Sequence, residues 1–497
     1  MTTGTATMIS HPQQFYIDGG WATPSSAATI DVVSPTTEEI FLRVAAAQAA
    51  DVDRAVSAAR EAFDHGPWPR MSHLERAGYL REISKQIGVR APELADLWTG
   101  EVGMIRGMSG MMIPFVGQLF DFYASLADSF AFEERRPAAQ GGVGLLVREP
   151  VGVVAAIVPW NAPLLLMTLK LAPALLAGCT VVLKASPEAP GAAYVMAEIL
   201  ETVGLPKGVV NVVTADREVS ELLVRHRGVD KVTFTGSSIA GKKIAAICGE
   251  RIARCTLELG GKSAAVIFDD YDIGQAAQTI AEAARVNTGQ ICASLSRVII
   301  SRDRHDALVE AMAESFASTK VGDPFDSASQ MGPLATSRHR DRVEGYIAKG
   351  KSQGAVLASG GGRPHHLNRG FFVEPTLFGR VENDMTIARE EIFGPVISVI
   401  PAKDEQEALA IANDSDFGLN ASVFTNDVER AYSAARLLRS GTVGHNSFQS
   451  DFTIAFGGFK QSGIGREGGV EGLLPFLETK TVILSGEPAH MAPSAVA

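Results

Sequence analysis

Two side chains in this sequence could do covalent chemistry if the fold brings them together. Cys292 closes the run Asn287-Thr-Gly-Gln-Ile-Cys292, behind Gly289 and Gln290 at the end of a helical pattern. Backbone N–H groups could be left free there. A thiol is nucleophilic as its thiolate, which nearby donors favour. A lone Cys is more often a buried structural residue, so Cys292 needs partners. Glu258 stands in Leu257-Glu258-Leu259-Gly260-Gly261-Lys262-Ser263, a single carboxylate between leucines. In apolar surroundings its pKa rises and it becomes a usable base near neutrality; on a surface edge it would be inert. The glycine pair permits a sharp turn and close backbone approach. Asn161, in Val158-Pro159-Trp160-Asn161, is a carboxamide on a turn after an apolar strand. Such an Asn is a turn-former or a donor to an oxyanion.

Together these segments resemble one family, the aldehyde dehydrogenases. Pro159-Trp160-Asn161 matches the turn of the family's oxyanion Asn. Glu258-Leu-Gly-Gly-Lys matches its general-base motif, and Gly289-Gln-Ile-Cys292 its nucleophile motif. Glu390-Glu391-Ile-Phe393-Gly394-Pro395 and Phe456-Gly-Gly-Phe-Lys460-Gln-Ser-Gly also match, and the resemblance runs over residues 15–485. It implies an NAD(P)-dependent, hydrolytic, non-phosphorylating enzyme. Cys292 would attack the aldehyde, with Asn161 and the Cys292 N–H holding the oxyanion. Glu258 would activate the water that hydrolyses the thioester, and Lys170 would tune the charge nearby. It further implies cofactor contacts from Trp160, Lys184, Gly236, Ser237, Gly260, Glu391 and Phe393.

The cofactor turn has its own signature. Phe234-Thr235-Gly236-Ser237-Ser238 follows a strand and opens a helix, whose N-terminus offers N–H groups to a pyrophosphate. An ordinary turn with a Ser cap reads the same way. Gly463-Ile-Gly465-Arg-Glu-Gly468 satisfies GxGxxG but follows no strand and opens no βαβ unit, so it reads as a loop. The resemblance is broken at Pro187. NAD-preferring members often carry Glu three residues after the Lys, and Lys184-Ala-Ser-Pro187-Glu188 does not. NAD is expected, with NADP possible.

By position, Ala162, Leu169, Leu295, Ser450 and Phe456 would line the substrate tunnel. The set is mostly apolar and holds no Arg or Lys, whereas a carboxylate-bearing semialdehyde would want a fixed cation. A neutral, apolar aldehyde is expected, and the small Ala162 leaves room for a branched or aromatic group. Three rivals stand beside this reading. A CoA-acylating relative would normally lack the base Glu. A silent scaffold would have no need of the Cys, Glu and Asn together. A Cys-His hydrolase would need a His in a pairable motif, and none is evident. His365-His366 lack a third ligand, so no metal site is expected.

These residues must be carried on a large framework. The chain has 497 residues, enough for two or three domains. Its net charge of −11 argues against nucleic-acid binding. Four cysteines without CxxC spacing argue against a disulfide scaffold or zinc motif. The N-terminus shows no apolar signal segment, and a cytoplasmic location is expected. Val151–Leu169 is uncharged, but Pro159, Asn161 and Pro163 interrupt it, so a buried strand, turn and helix fit better than a membrane span.

From Val151 to Glu258, short β-branched runs alternate with helical patterns. Strands are expected at 151–158, 180–183, 209–213 and 231–234, with helices at 164–176, 189–203, 218–227 and 238–248. That is the pattern of βαβ units in a buried parallel sheet. A second such block begins at the strand 264–268 and includes a helix over Ile273–Asn287. The expected fold is α/β: a Rossmann-like cofactor domain (1–123 and 149–258), a second α/β catalytic domain (259–450), and a small β oligomerisation element (124–148 and 474–497). Its segments Gly142–Val147 and Thr479–Leu484 could pair with each other or with another copy, making a homo-oligomer, dimer or tetramer. Residues 1–10 and 486–497 read as loose ends.

Overall fold

The computed structural model describes residues 9–139, 141–486 and 488. Two large α/β sheets and a three-stranded antiparallel sheet carry the site. In the first sheet the strands Val210–Thr214, Thr180–Ala185, Val153–Ile157, Lys231–Thr235 and Arg254–Glu258 lie side by side in that order, all parallel. Helices cover both faces, which is why the four strands from Val153 to Thr235 are buried at every position. Chain order reverses between Val153–Ile157 and Lys231–Thr235. Ligands bind outside the carboxyl ends of strands at such a switch point. Pro159-Trp160-Asn161 and Gly236-Ser237 leave the sheet there.

The helix Pro163–Ala177 begins with Pro at its first position and ends at left-handed Gly178 (φ 97°), so its limits follow local chemistry. It is buried on every face. This accounts for the uncharged run from Val151: strand, turn and enclosed helix. Among the described residues, no helix is long and apolar enough to cross a membrane.

The second sheet runs Val356–Ser359, Thr376–Gly379, Val396–Ala402, Arg297–Ser301, Ala264–Ile267, Asn420–Phe424 and Thr442–His445. Its first pair is antiparallel and the rest are parallel. In the third sheet, Leu477–Leu484 pairs antiparallel with Val143–Pro150, from Leu477↔Pro150 to Leu484↔Val143, and Val143–Pro150 pairs with Glu133–Pro137. The two segments left over by the sequence pattern therefore pair with each other.

Three expectations are corrected. The helix expected over Ile273–Asn287 stops at Arg285. Gly463–Ile464, expected as loop, pairs with Leu257 and Glu258 and closes the first sheet's edge. Ile9 and Ser10, expected to be loose, are fixed: Ile9 is buried and the Ser10 N–H donates to Glu198. The rest of that expectation, apart from Gly486 and Pro488, lies outside the described residues.

Arg297 ties the second sheet together. Its buried guanidinium donates to the carbonyls of Lys262, Ile411 and Ala412 and to Asn383 Oδ1, at 2.8–3.0 Å. Arg297→Leu should strand these acceptors and cost about 3 kcal/mol, read as a lower urea midpoint. An unchanged midpoint would show that the contacts are not stabilising.

Candidate active site

The nucleophile turn is built from strained backbone. The helix Ile273–Arg285, capped by Asp272 on Gln275 N–H at 2.8 Å, gives way to a turn at Val286–Gly289. There Asn287, Thr288 and Gly289 are all left-handed (φ 48°, 56° and 69°). For a non-Gly residue this conformation costs about 1–2 kcal/mol. The surroundings enforce it. Asn287 Nδ2 donates to the Asn161 carbonyl (3.0 Å) and the Gln290 carbonyl (3.3 Å). Gln290 Nε2 donates to the Asn287 carbonyl at 2.9 Å, and Gln290 Oε1 accepts from Ala335 N–H at 2.9 Å. Thr288 Oγ1 donates to the Gly332 carbonyl at 3.0 Å. Asn161 Nδ2 returns a bond to the Gln290 carbonyl at 2.9 Å. An amide nitrogen carries two hydrogens, and Asn161 lines the cleft, so one N–H remains for a ligand.

Two glycines set the distances around Cys292. A Cβ on Gly261 would lie 2.3 Å from the Cys292 carbonyl oxygen. A Cβ on Gly260 would lie 2.3 Å from a Glu391 carboxylate oxygen. The contact at Gly261 is with backbone and admits only glycine, whereas that at Gly260 falls on the end of a side chain.

The electrostatics place negative groups around the thiol. Burial, with Glu391 and then Glu258 nearby, pushes the Cys292 thiol up to about 12. Glu258 is 2% exposed, and neither carboxylate oxygen has a hydrogen-bond partner among the described residues. Desolvation and then the Glu467 carboxylate raise it well above the usual range, while Lys170 and Arg466 act in the opposite direction. Glu391 is raised to about 7 by burial, against the Gly261 N–H that donates to it at 3.2 Å.

Lys170 is wholly buried, donating to Thr235 Oγ1 at 2.6 Å and to Glu467 Oε1. Glu467 Oε2 has no partner among the described residues. Sequence reasoning missed Glu467. It lies inside the Gly463–Gly468 run read as a loop, and its backbone pairs with Phe456.

Cys292 and Asn161 open on a cleft of about 720 Å³. Trp160, Gly236, Ser237, Gly260, Glu391 and Phe393 line it as well. Lys184 is buried at the end of its strand and is not on that wall; desolvation lowers its ammonium to about 8. Arg217, Arg338, Arg342 and His339 also line the cleft and were not foreseen. His339 forms an aromatic set with Trp160 and Phe393, ring centroids 5.4–5.8 Å apart. Its Nε2–H donates to the Phe393 carbonyl at 2.6 Å, supporting Phe393 in a left-handed conformation (φ 65°). His and Arg on a polar helix gave no signal in the sequence.

This wall fits a dinucleotide. Ser237 caps the helix Ser238–Glu250, accepting from Ala240 N–H at 3.3 Å, and the buried Ser238 Oγ has no partner among the described residues. The helix N-terminus and nearby arginines suit a pyrophosphate. Glu188 accepts from Ser186 Oγ (2.5 Å) and from Arg338 (3.2 Å).

The expected tunnel residues separate. Phe456 is buried and packs with Cys292, Phe448 and Phe452, its ring 5.0 Å from that of Phe452. Ala162 and Ser450 are half-buried. Leu169 and Leu295 are enclosed in the cores rather than on the cleft wall. Leu169 lies on a helix with no exposed face, so position alone could not place it. Phe448, Phe452 and Ile291, not foreseen, pack against the same Ala293–Leu419–Phe456 cluster as Cys292. Among the described residues, no group of three His, Cys, Asp or Glu side chains could hold a metal.

Residues 21–482 match the aldehyde dehydrogenase family. Geranial dehydrogenase of Castellaniella defragrans is 42% identical, over 96% of this chain and 100% of its own length. The 3-succinoylsemialdehyde-pyridine dehydrogenase of a Pseudomonas species is 42% identical, over 95% of this chain and 98% of its own. An aldehyde dehydrogenase of Mycobacterium tuberculosis complexed with NAD+ superposes with a TM-score of 0.93 at 44% identity, covering 95% of this chain and 98% of that one. A mutant of aldehyde dehydrogenase C of Pseudomonas syringae, with NAD+ and octanal, gives 0.92 at 39% identity, covering 96% and 98%.

A half-buried thiol held up to about 12 should alkylate slowly near neutrality. In the cofactor-free protein, iodoacetamide labelling of Cys292 should rise about tenfold per pH unit with no plateau below about pH 10. A plateau near pH 8–9 would contradict the burial and charge described. Gly261→Ala should displace the Cys292 backbone and cut labelling further while circular dichroism stays unchanged; unchanged labelling would mean that the contact yields freely.

Proposed function

The chain belongs to the aldehyde dehydrogenase family, and from that premise we propose that it oxidises neutral, apolar aldehydes to carboxylic acids with NAD+ through a covalent Cys292 adduct. The observation that carries this reading is the grouping of the Cys292 thiol and a spare Asn161 N–H on one cleft wall, with the buried, unpartnered Glu258 carboxyl near enough to raise that thiol.

In the proposed sequence Cys292, once deprotonated, attacks the aldehyde carbon. The Asn161 Nδ2–H, preorganised by its bond to Gln290, receives the developing oxyanion; such a donor contributes about 10²–10³ in rate. When bound, NAD+ supplies the hydride acceptor that turns the adduct into a thioester. Glu258 then takes a proton from water, and the hydroxide formed attacks the thioester carbon. The acid leaves and Cys292 is freed, so one hard step becomes two easier ones. Lys170 and Glu467 act through Glu258 as positioning residues, the cation favouring its charged form and the carboxylate opposing it.

For the cofactor, Ser237 and Gly236 at the helix N-terminus would face the pyrophosphate and Lys184 the adenosine ribose. Glu391 and Phe393 would flank the nicotinamide half, with Trp160 and Gly260 beside them. With Pro187 at the discriminating position and Glu188 engaged by Ser186 and Arg338, NADP+ is weakly barred. The CoA-acylating rival is disfavoured because Glu258 is present and buried.

The substrate class rests on the packing around Cys292. Ile291, Phe448, Phe452 and Phe456 give an apolar wall, and the burial that leads the thiol, Glu258 and Glu391 to hold their protons disfavours an anion as well. Geranial, named for one relative, and octanal, bound in one neighbour, are aldehydes of the same class. Leu477–Leu484 lies at an edge of its sheet with Ile483 exposed, which supports assembly with further copies of the chain.

NADH formation with octanal, benzaldehyde and succinic semialdehyde tests the reading. The apolar aldehydes should be the faster substrates, without CoA, and Cys292→Ala should abolish turnover; faster succinic semialdehyde, or no NADH with any aldehyde, would overturn it. Because Glu258 must be deprotonated to act, turnover should rise as pH rises through its elevated pKa. Lys170→Met removes the favouring cation, so the rise should move to higher pH. An unmoved profile would exclude Lys170 from that role.

A further inference from the structure

Glu258 is a buried carboxyl that no hydrogen bond holds: neither oxygen has a partner among the described residues. Packing must set its position, and part of that packing comes from one loop. The loop runs from Phe456 to Glu467, and its ends are tied by an antiparallel bridge. The Phe456 N–H donates to the Glu467 carbonyl at 2.6 Å, and the Glu467 N–H to the Phe456 carbonyl at 2.8 Å. Between the ends, Gly463–Ile464 pairs with Leu257 and Glu258, and the Leu259 N–H donates to the Ser462 carbonyl at 2.9 Å. The loop thus grips the Glu258 backbone along one side and brings Gly457 round to its side chain.

Gly457 meets the carboxyl. A Cβ there would lie 2.6 Å from Glu258 Oε1, 2.9 Å from Arg466 Cδ and 3.1 Å from the Gly465 carbonyl oxygen. Gly457 has φ 149°, which glycine adopts without strain. Its own carbonyl oxygen lies so close to Gly441 that a Cβ on Gly441 would fall 1.6 Å from it. Backbone therefore stands on the far side of Gly457, and the loop has no room to retreat. In a close-packed interior an added methyl must displace whatever gives first. Here that is the free end of the Glu258 side chain, which no hydrogen bond retains.

We propose that Gly457 is a positioning residue for the general base: its missing side chain is the seat of the Glu258 carboxyl and sets where that carboxyl stands relative to Cys292. This rests on the reading that Glu258 activates the water that hydrolyses the thioester. In that step the water gives a proton to Glu258, a C–O bond forms at the acyl carbon and the C–S bond breaks. To clear a Cβ at ordinary contact distance, Oε1 would move by most of an ångström, and a misplacement of that size costs about 10²-fold in rate. Only hydrolysis bears the cost, because attack by the Cys292 thiolate and hydride transfer do not use Glu258 in the proposed sequence.

The test is Gly457→Ala in the full chain, with octanal and NAD+. Stopped-flow absorbance reads the first NADH formed, and rapid-quench mass analysis of the tryptic peptide 286–297 reads the lifetime of the acyl group on Cys292. The first NADH should form within about threefold of the wild-type rate, while the acyl lifetime should lengthen about 10²-fold. Because Gly457 acts through Glu258, adding Gly457→Ala to Glu258→Gln should lengthen that variant's acyl lifetime by less than about twofold. An equal lengthening in both backgrounds, a slowed first NADH, or an unchanged lifetime in Gly457→Ala would overturn the proposal. No acyl group on that peptide even in Glu258→Gln would instead overturn the reading beneath it. If Gly457→Ala is insoluble, adding Glu258→Asp, which draws the carboxyl back by one methylene, should restore soluble protein. A double variant that stays insoluble would place the clash in the backbone and overturn the proposal.

Discussion

A set of carboxamide hydrogen bonds between two turns holds the site together. Asn287 reaches across from the nucleophile turn to the carbonyl of Asn161, and the Asn161 side chain reaches back to the carbonyl of Gln290. One turn leaves the first sheet and the other leads into the second. Each bond contributes about 0.5–1.5 kcal/mol net, comparable to the cost of the left-handed Asn287 and Thr288 that it supports. The thiol and the oxyanion donor are thereby set at a fixed distance although they come from opposite α/β units. Gly261 and Gly289 complete the constraint, because a Cβ at either would collide with backbone, at 2.3 Å and 2.4 Å.

The second constraint is charge. Glu258, Glu391 and Glu467 share a small volume with Cys292, and Lys170 is the buried cation bonded there. Unpaired buried charge is costly, so the thiol, Glu258 and Glu391 respond by holding protons, each shifted upward. The same disposition that keeps Cys292 inert makes Glu258 a base of useful strength. It also favours neutral occupants over anions.

Much of this was legible in the sequence because the signals were local. Alternating β-branched runs and helical patterns marked the parallel strands to within a few residues, and Cys292, Glu258 and Asn161 stood in glycine- or proline-marked turns. What was hidden depends on tertiary contact. The helix end at Arg285 has no local stop signal, since the apolar pattern continues into Val286 and the left-handed turn is imposed by distant partners. Glu467 looks like any acid in a glycine-rich loop until Lys170 and Phe456 are folded against it. Leu169 could not be assigned a facing direction on a helix buried all round, and Phe448, Phe452 and His339 carry no motif.

The account stands on a covalent acyl group passing through Cys292 and leaving by way of Glu258. The most direct measurement is a rapid-quench peptide mass analysis of Glu258→Gln mixed with octanal and NAD+. The account predicts one acyl group per chain accumulating on the tryptic peptide 286–297, which holds Cys292, with one NADH released and little further turnover. An unmodified peptide, an acyl group elsewhere, or undiminished steady turnover in that variant would contradict it.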